Sequence, residues 1–192
     1  MTLGYPRAHR PLLPALGRAM MRVSGWTFRG ELPDLPKFII IVAPHTSNWD
    51  FPVGVAALFA LDLRAHWFGK ESLFRPPMGA LLRMIDGRPV RRDVPEGVVA
   101  EMAAVVREEP EFVLAIAPEG TRASVDHWRT GFYRIAEATA VPIVPVSFDW
   151  SRHEIGICAP VYPSGDLEAD VGGMQALFRP EMVRHPSGFW RS

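Results

Sequence analysis

The chain has 192 residues, 48% hydrophobic and 22% charged, with 21 Lys and Arg against 21 Asp and Glu. That composition excludes a disordered or fibrous chain and fits one globular domain, which at this length buries about 70% of its unfolded surface without staples. A single cysteine, Cys158, excludes a disulfide framework and a multi-cysteine zinc site, and a net charge of zero offers no basic stripe for nucleic acid.

The balance conceals an uneven distribution. Residues 1–30 hold Arg7, Arg10, Arg18, Arg22 and Arg29 and no acid, so this head carries +5 and the remainder −5. Pro14, Gly17, Arg18 and Arg22 interrupt the stretch that a secretory leader would need, and no leader is expected. Residues 38–61 are long enough to span a bilayer, but Pro44, His45, Asn48, Asp50 and Pro52 near the middle argue against it. Within the head, Leu12, Leu13, Leu16, Met20 and Val23 fall near helical spacing, with Arg18 and Arg22 one turn apart. This short amphipathic helix either lies in a membrane interface or packs on the domain's own surface.

Further along, Phe38-Ile-Ile-Ile-Val-Ala43 is an apolar run without alternation, as in a strand buried on both faces, and is expected to be central. A turn then leads into a helix over about 49–61, with Ser47 or Asn48 as N-cap and Asp50 in the first turn, where the dipole favours an anion. A short strand near 64–68, a helix over 76–84 and a turn at Asp86-Gly87 follow. Asp93 is then expected to cap the clearest amphipathic helix, built on Val98, Val99, Met102, Val105 and Val106. Phe112-Val-Leu-Ala-Ile-Ala117 repeats the buried-strand signal. After it come a helix near 131–140, a strand near 143–147, an edge strand near 154–159 and a helix near 167–178. The alternation predicts an α/β layered domain, its mostly parallel or mixed central sheet flanked by helices. Residues 1–30 form a basic amphipathic N-terminal segment and 31–192 a single domain.

Two segments rich in reactive side chains, Pro44-His-Thr-Ser-Asn-Trp-Asp50 and Pro118-Glu-Gly-Thr-Arg122, each follow a buried strand directly. Ligands of open α/β sheets bind outside the strands' carboxyl ends, so parallel strands would bring both segments to one site. On a regular helix His45 and Asp50 would diverge by about 140°. With the imidazole in the preceding loop and the carboxylate in the first turn, Asp50 instead reaches back to Nδ1–H and leaves Nε2 to accept a proton. Histidine, which ordinarily titrates near about 6.5, suits abstraction of a hydroxyl proton at neutral pH when a carboxylate fixes its tautomer. Gly-x-Ser-x-Gly, Gly-x-Gly-x-x-Gly and a phosphate loop ending in Gly-Lys-Ser/Thr are absent, so serine hydrolases, dinucleotide oxidoreductases and NTPases lack their markers. No metal is expected from His45, Asp50 and Glu119. Arg122, with Lys70 and Arg92 near other element ends, offers cations for phosphate.

On these residues the chain resembles the glycerolipid acyltransferases of the lysophosphatidic acid acyltransferase type. His45-Thr-Ser-Asn-Trp-Asp50 resembles that family's His-x4-Asp block, and Glu119-Gly-Thr-Arg122 its Glu-Gly-Thr-Arg block. Lys70-Glu-Ser-Leu-Phe with Gly87-Arg-Pro-Val-Arg-Arg92 resembles the second block, and Thr130-Gly-Phe-Tyr-Arg-Ile-Ala136 leading to Val141-Pro-Ile-Val-Pro145 the fourth. Arg88 and Arg91 depart from the common pattern, and the chain is shorter than most members. The resemblance implies acyl transfer from acyl-CoA or acyl carrier protein, as co-substrate and without a cofactor, to a hydroxyl of a lysolipid or polyol such as lysophosphatidic acid. His45 and Asp50 would be the catalytic pair, with Lys70, Arg92, Glu119, Gly120, Thr121 and Arg122 at the acceptor's phosphate. It also implies work at the inner, cytoplasmic face of the cell membrane as a peripheral protein. A sugar or amino-lipid acceptor, a thioesterase and a non-catalytic lipid-binding protein are the alternatives.

Overall fold

The computed structural model describes residues 4–90, 95–121, 125–185 and 189–190, with the backbone alone for Lys70, Val90 and residues 95–98. Along the chain run α1 (Leu13–Ser24), β1 (Thr27–Arg29), β2 (Lys37–Ala43), α2 (Asp50–Ala60), β3 (His66–Lys70), α3 (Met78–Met84) and β4 (Gly87–Val90). Then come α4 (Pro95–Glu108), β5 (Phe112–Ile116), α5 (Gly131–Thr139), β6 (Ile143–Asp149), β7 (Glu154–Ile157) and α6 (Leu167–Gln175). The strands form one sheet in the order β1-β7-β6-β2-β5-β3-β4. It is parallel except where β6 meets β7, so the expected α/β layered fold with a mostly parallel sheet is the one observed.

The apolar run of β2 lies in the middle, between β5 and β6. Its side chains alternate between two cores, because successive residues of a strand point to opposite faces. Ile39 and Ile41 pack with α4, α5 and α6 through Met102, Val106, Phe132, Ile135 and Met174. Phe38 and Ile40 pack with α1 and α2 through Met21, Ala56 and Ala57. Both faces are covered, which explains why a polar/apolar alternation is missing from the sequence.

Two expectations are corrected. The strand at 154–157 is not an edge: the three-residue β1 pairs with it in parallel, Phe28 opposite Ile155, and takes the edge position. Neither Ser47 nor Asn48 is the N-cap of α2; Trp49 holds that place without a side-chain cap. For α1, where two placements were open, the amphipathic stripe faces away from the body. Gly17 and Met21 are its buried residues, whereas Leu12 and Val23 are 79% and 89% exposed and Leu16 and Met20 also reach the surface. Asp93, the expected cap of α4, lies outside the described residues.

Close backbone approach accounts for α1's orientation. A Cβ on Gly17 would stand 2.3 Å from the amide nitrogen of Ala60 and 2.7 Å from Phe59 at the end of α2. Glycine therefore sits at the helix crossing, and the larger apolar residues are left outward. Gly25, in the left-handed region at φ 75°, ends the helix, with the Trp26 amide donating to the Met21 carbonyl at 2.9 Å. Gly17→Ala should cost about 1–3 kcal/mol in thermal unfolding through overpacking. Ala15→Leu, on the exposed side, should stay within about 0.5 kcal/mol.

Candidate active site

Strands β2, β5 and β6 are neighbours and parallel, with Ile41 opposite Ile116 and Ala43 opposite Ser147. Their carboxyl ends therefore align, and the residues leaving them emerge at one edge of the sheet. His45 follows β2 by two positions, Glu119 follows β5 by three, and Trp150 is the first residue after β6. Segments about 70 residues apart in sequence thus meet as their strand assignment predicts.

The His45 ring places Nδ1 3.1 Å from Oδ2 of Asp50. The loop makes this geometry possible. It folds back so that the Ser47 amide donates to Oδ2 of Asp50 at 2.9 Å and the Trp49 amide donates to Oγ of Ser47 at 3.1 Å. Asp50 opens α2, at its positive dipole end, with its side chain only 1% exposed. Its other oxygen, Oδ1, accepts the indole N–H of Trp150 at 2.8 Å. Since Nδ1 faces Asp50, Nε2 on the far side of the ring is the nitrogen positioned to take a proton.

Glu119 is buried, and both of its oxygens lie against the backbone N–H of His45, at 3.1 and 3.0 Å. Burial pushes its carboxyl up to about 8, the His45 N–H pulls the other way, and the nearby Asp50 adds to the rise. Gly120 turns the chain at φ 66°, and a Cβ there would stand 2.8 Å from Nε of Arg129. Thr121 follows at the surface. Lys70 ends β3, opposite Val90 of β4, with its side chain outside the described residues. Arg92 and Arg122 lie outside them entirely. The structure therefore brings together His45, Asp50 and Glu119 and adds Trp150, which no motif had marked. Among the described residues no group of His, Cys, Asp and Glu is arranged to hold a metal ion.

A cavity of about 190 Å³ lies between α2 and the sheet, and His45 and Asp50 are the titratable side chains in its otherwise apolar wall of Ile40, Val42, Val55 and Phe148 among others. Gly54 faces Phe148 across this cavity, where a Cβ would make ordinary van der Waals contact with that ring at 3.5 Å.

A layered α/β sheet with a buried carboxylate orienting a histidine at its strand ends defines a class of sites suited to proton abstraction. The family-wide profile described as Acyltransferase matches residues 30–149, and the chain belongs to that family. Among solved structures, the 1-acyl-sn-glycerophosphate (LPA) acyltransferase PlsC from Thermotoga maritima is similar. The TM-score is 0.61 at 20% identity, over 86% of this chain and 78% of that one, a likeness of fold. No curated protein matches the chain by sequence.

Glu119 also predicts a dependence of stability on pH. Its carboxyl titrates from 4.5 up to about 8 on folding, so between those values the folded protein holds a proton that the unfolded chain releases. Stability therefore falls as pH rises through this window, by on the order of a few kcal/mol at most. Glu119→Gln keeps an oxygen for the His45 amide and removes the titration. Its melting temperature should rise relative to the parent's as pH goes from 5 to 8, and a constant difference would show that Glu119 does not titrate there.

Proposed function

We propose that the protein transfers a fatty acyl group from acyl-CoA or acyl carrier protein to a hydroxyl of a lysophospholipid such as lysophosphatidic acid. The observation that carries this reading is the His45–Asp50 pair, at 3.1 Å, in the wall of an apolar cavity. A base suited to a hydroxyl and a space suited to a hydrocarbon chain share one wall, as an acyl acceptor and an acyl donor would require.

In this reading the acceptor hydroxyl gives its proton to Nε2 of His45 as its oxygen attacks the thioester carbonyl. The carbon–sulfur bond then breaks, an ester remains on the acceptor, and the departing thiolate takes the proton back from the imidazolium. Asp50 holds the ring in one tautomer and stabilises the imidazolium while it exists. No enzyme nucleophile is involved, so holding two substrates in register supplies much of the rate. Glu119 fixes the backbone of the residue that carries the base, while Thr121 with Lys70, Arg92 and Arg122 provides the acceptor's phosphate contacts by resemblance to the family.

Purified protein should release thiol from a long-chain acyl-CoA in the presence of lysophosphatidic acid and form phosphatidic acid. His45→Ala should lower the rate by about 100-fold or more. Release that ignores the acceptor would identify a thioesterase instead, and transfer only to a sugar or amino-lipid would redirect the acceptor.

The same proposal places the protein at the inner face of the cell membrane. Support comes from α1, whose outward Leu12, Leu16, Met20 and Val23 are interleaved with the exposed Arg18 and Arg22, a pattern suited to an anionic interface. Among the described residues no helix is long and apolar enough to cross a membrane. The double variant Arg18→Glu, Arg22→Glu should float with anionic liposomes several-fold less than the parent; equal flotation would remove α1 as the anchor.

A further inference from the structure

The buried carboxylate of Asp50 is held from three directions. Oδ2 takes the Ser47 amide and the His45 ring, while Oδ1 takes only the Trp150 indole among the described hydrogen bonds, at 2.8 Å. A carboxylate sealed from water has no solvent to complete its shell, so the donor on Oδ1 sets the plane in which Oδ2 meets the imidazole. We propose that Trp150 is a positioning residue, whose indole N–H fixes the rotation of Asp50 and, through it, the ring of His45. This rests on the acyl-transfer reading of the pair.

The indole is itself built into place. Its backbone N–H donates to the Met182 carbonyl at 2.9 Å, in the short helical turn Pro180–Met182. The Arg184 guanidinium sits 4.7 Å from the Trp150 ring centroid and 5.4 Å from that of Trp49, so one cation lies against both indoles. Trp26 meets Trp150 edge-on at 4.9 Å, and His153 meets both rings edge-on at 5.5 and 6.4 Å.

Position in the fold explains how a residue 100 places from Asp50 comes to serve it. β6 lies beside β2 in parallel, so the first residue after β6 stands next to the loop after β2. Trp150 also falls one residue beyond the 30–149 stretch matched by the family profile.

Trp150→Phe keeps an aromatic ring for Arg184 and Trp26 and removes the N–H together with part of the ring system. It should lower kcat about tenfold or more, while KM for both substrates stays within about twofold and the melting temperature within a few degrees. An unchanged kcat, or a loss that tracks the melting temperature, would overturn the proposal. Two nuclear magnetic resonance readouts do not need turnover. The Nδ1–H signal of His45, assigned by its absence in His45→Ala, should broaden into exchange with water in Trp150→Phe. In Asp50→Asn, which keeps the parent's Trp150, the Trp150 indole N–H should move upfield as its charged acceptor is lost. Should Trp150→Phe fail to fold, this last shift decides, and an unmoved indole signal overturns the proposal. If no acyl transfer is found while both resonances respond, the function fails and the positioning role stands.

Discussion

A buried carboxylate needs donors, and that requirement organises this site. Asp50 is almost sealed from solvent and is met by a backbone amide, an imidazole and an indole. Leaving such a group short of partners costs about 1–3 kcal/mol per missing bond, more when it is charged. The loop after β2 therefore folds back on the start of α2, where the dipole adds favourable potential, and β6 delivers the indole from the neighbouring strand end. His45 gains its orientation from the same arrangement. The base is thus positioned by the need to satisfy the group behind it, and the parallel register of three strands is what makes that satisfaction possible.

Two carboxyl groups share this small volume, and their surroundings separate them. Among the described residues, Asp50 has three donors spread over both oxygens, whereas Glu119 has one backbone N–H shared between its two. Burial is what drives the Glu119 carboxyl up to about 8, with Asp50 contributing and the His45 N–H opposing. Pairs of titratable groups pushed into different environments commonly divide their tasks. Here Asp50 addresses the ring of His45 and Glu119 addresses its main chain, so side chain and backbone of one residue are fixed by different carboxyls.

The parts of this fold that were legible in the sequence are those whose signal is local. β2 and β5 are unbroken apolar runs because both faces of each are buried, and their carboxyl ends mark the site wherever the strands run parallel. The spacing of His45 and Asp50 was readable for the same reason, since a loop followed by a helix start brings the two together. What escaped depends on contacts far along the chain. β1 is a three-residue segment defined only by pairing with Glu154–Ile157, and no periodicity fits in three residues. Trp150 has no motif, because its role follows from which strand lies beside β2. The outward stripe of α1 reads like any packed amphipathic helix until Gly17 is seen against Phe59 and Ala60. Lys70, Arg92 and Arg122 were read from their charge and place near element ends as well as from resemblance, and their side chains lie outside the described residues.

The outward face of α1 and the inward face of the site are joined through few residues. Gly25 ends α1 in the left-handed region and turns the chain so that Trp26 enters the core. There its ring meets Trp150 at 4.9 Å, and Trp150 bonds Asp50. α2 supplies a second route, since one of its ends carries Asp50 and the other receives Gly17 of α1. A surface helix bound to the body by backbone contact at one end and by a buried indole at the other has little freedom to move independently of the site. Under the proposed placement of α1 on a lipid surface, such rigidity would set the height and tilt of His45 relative to that surface. In the proposed reading, how α1 docks would then set the register of His45 against an acceptor held in the membrane.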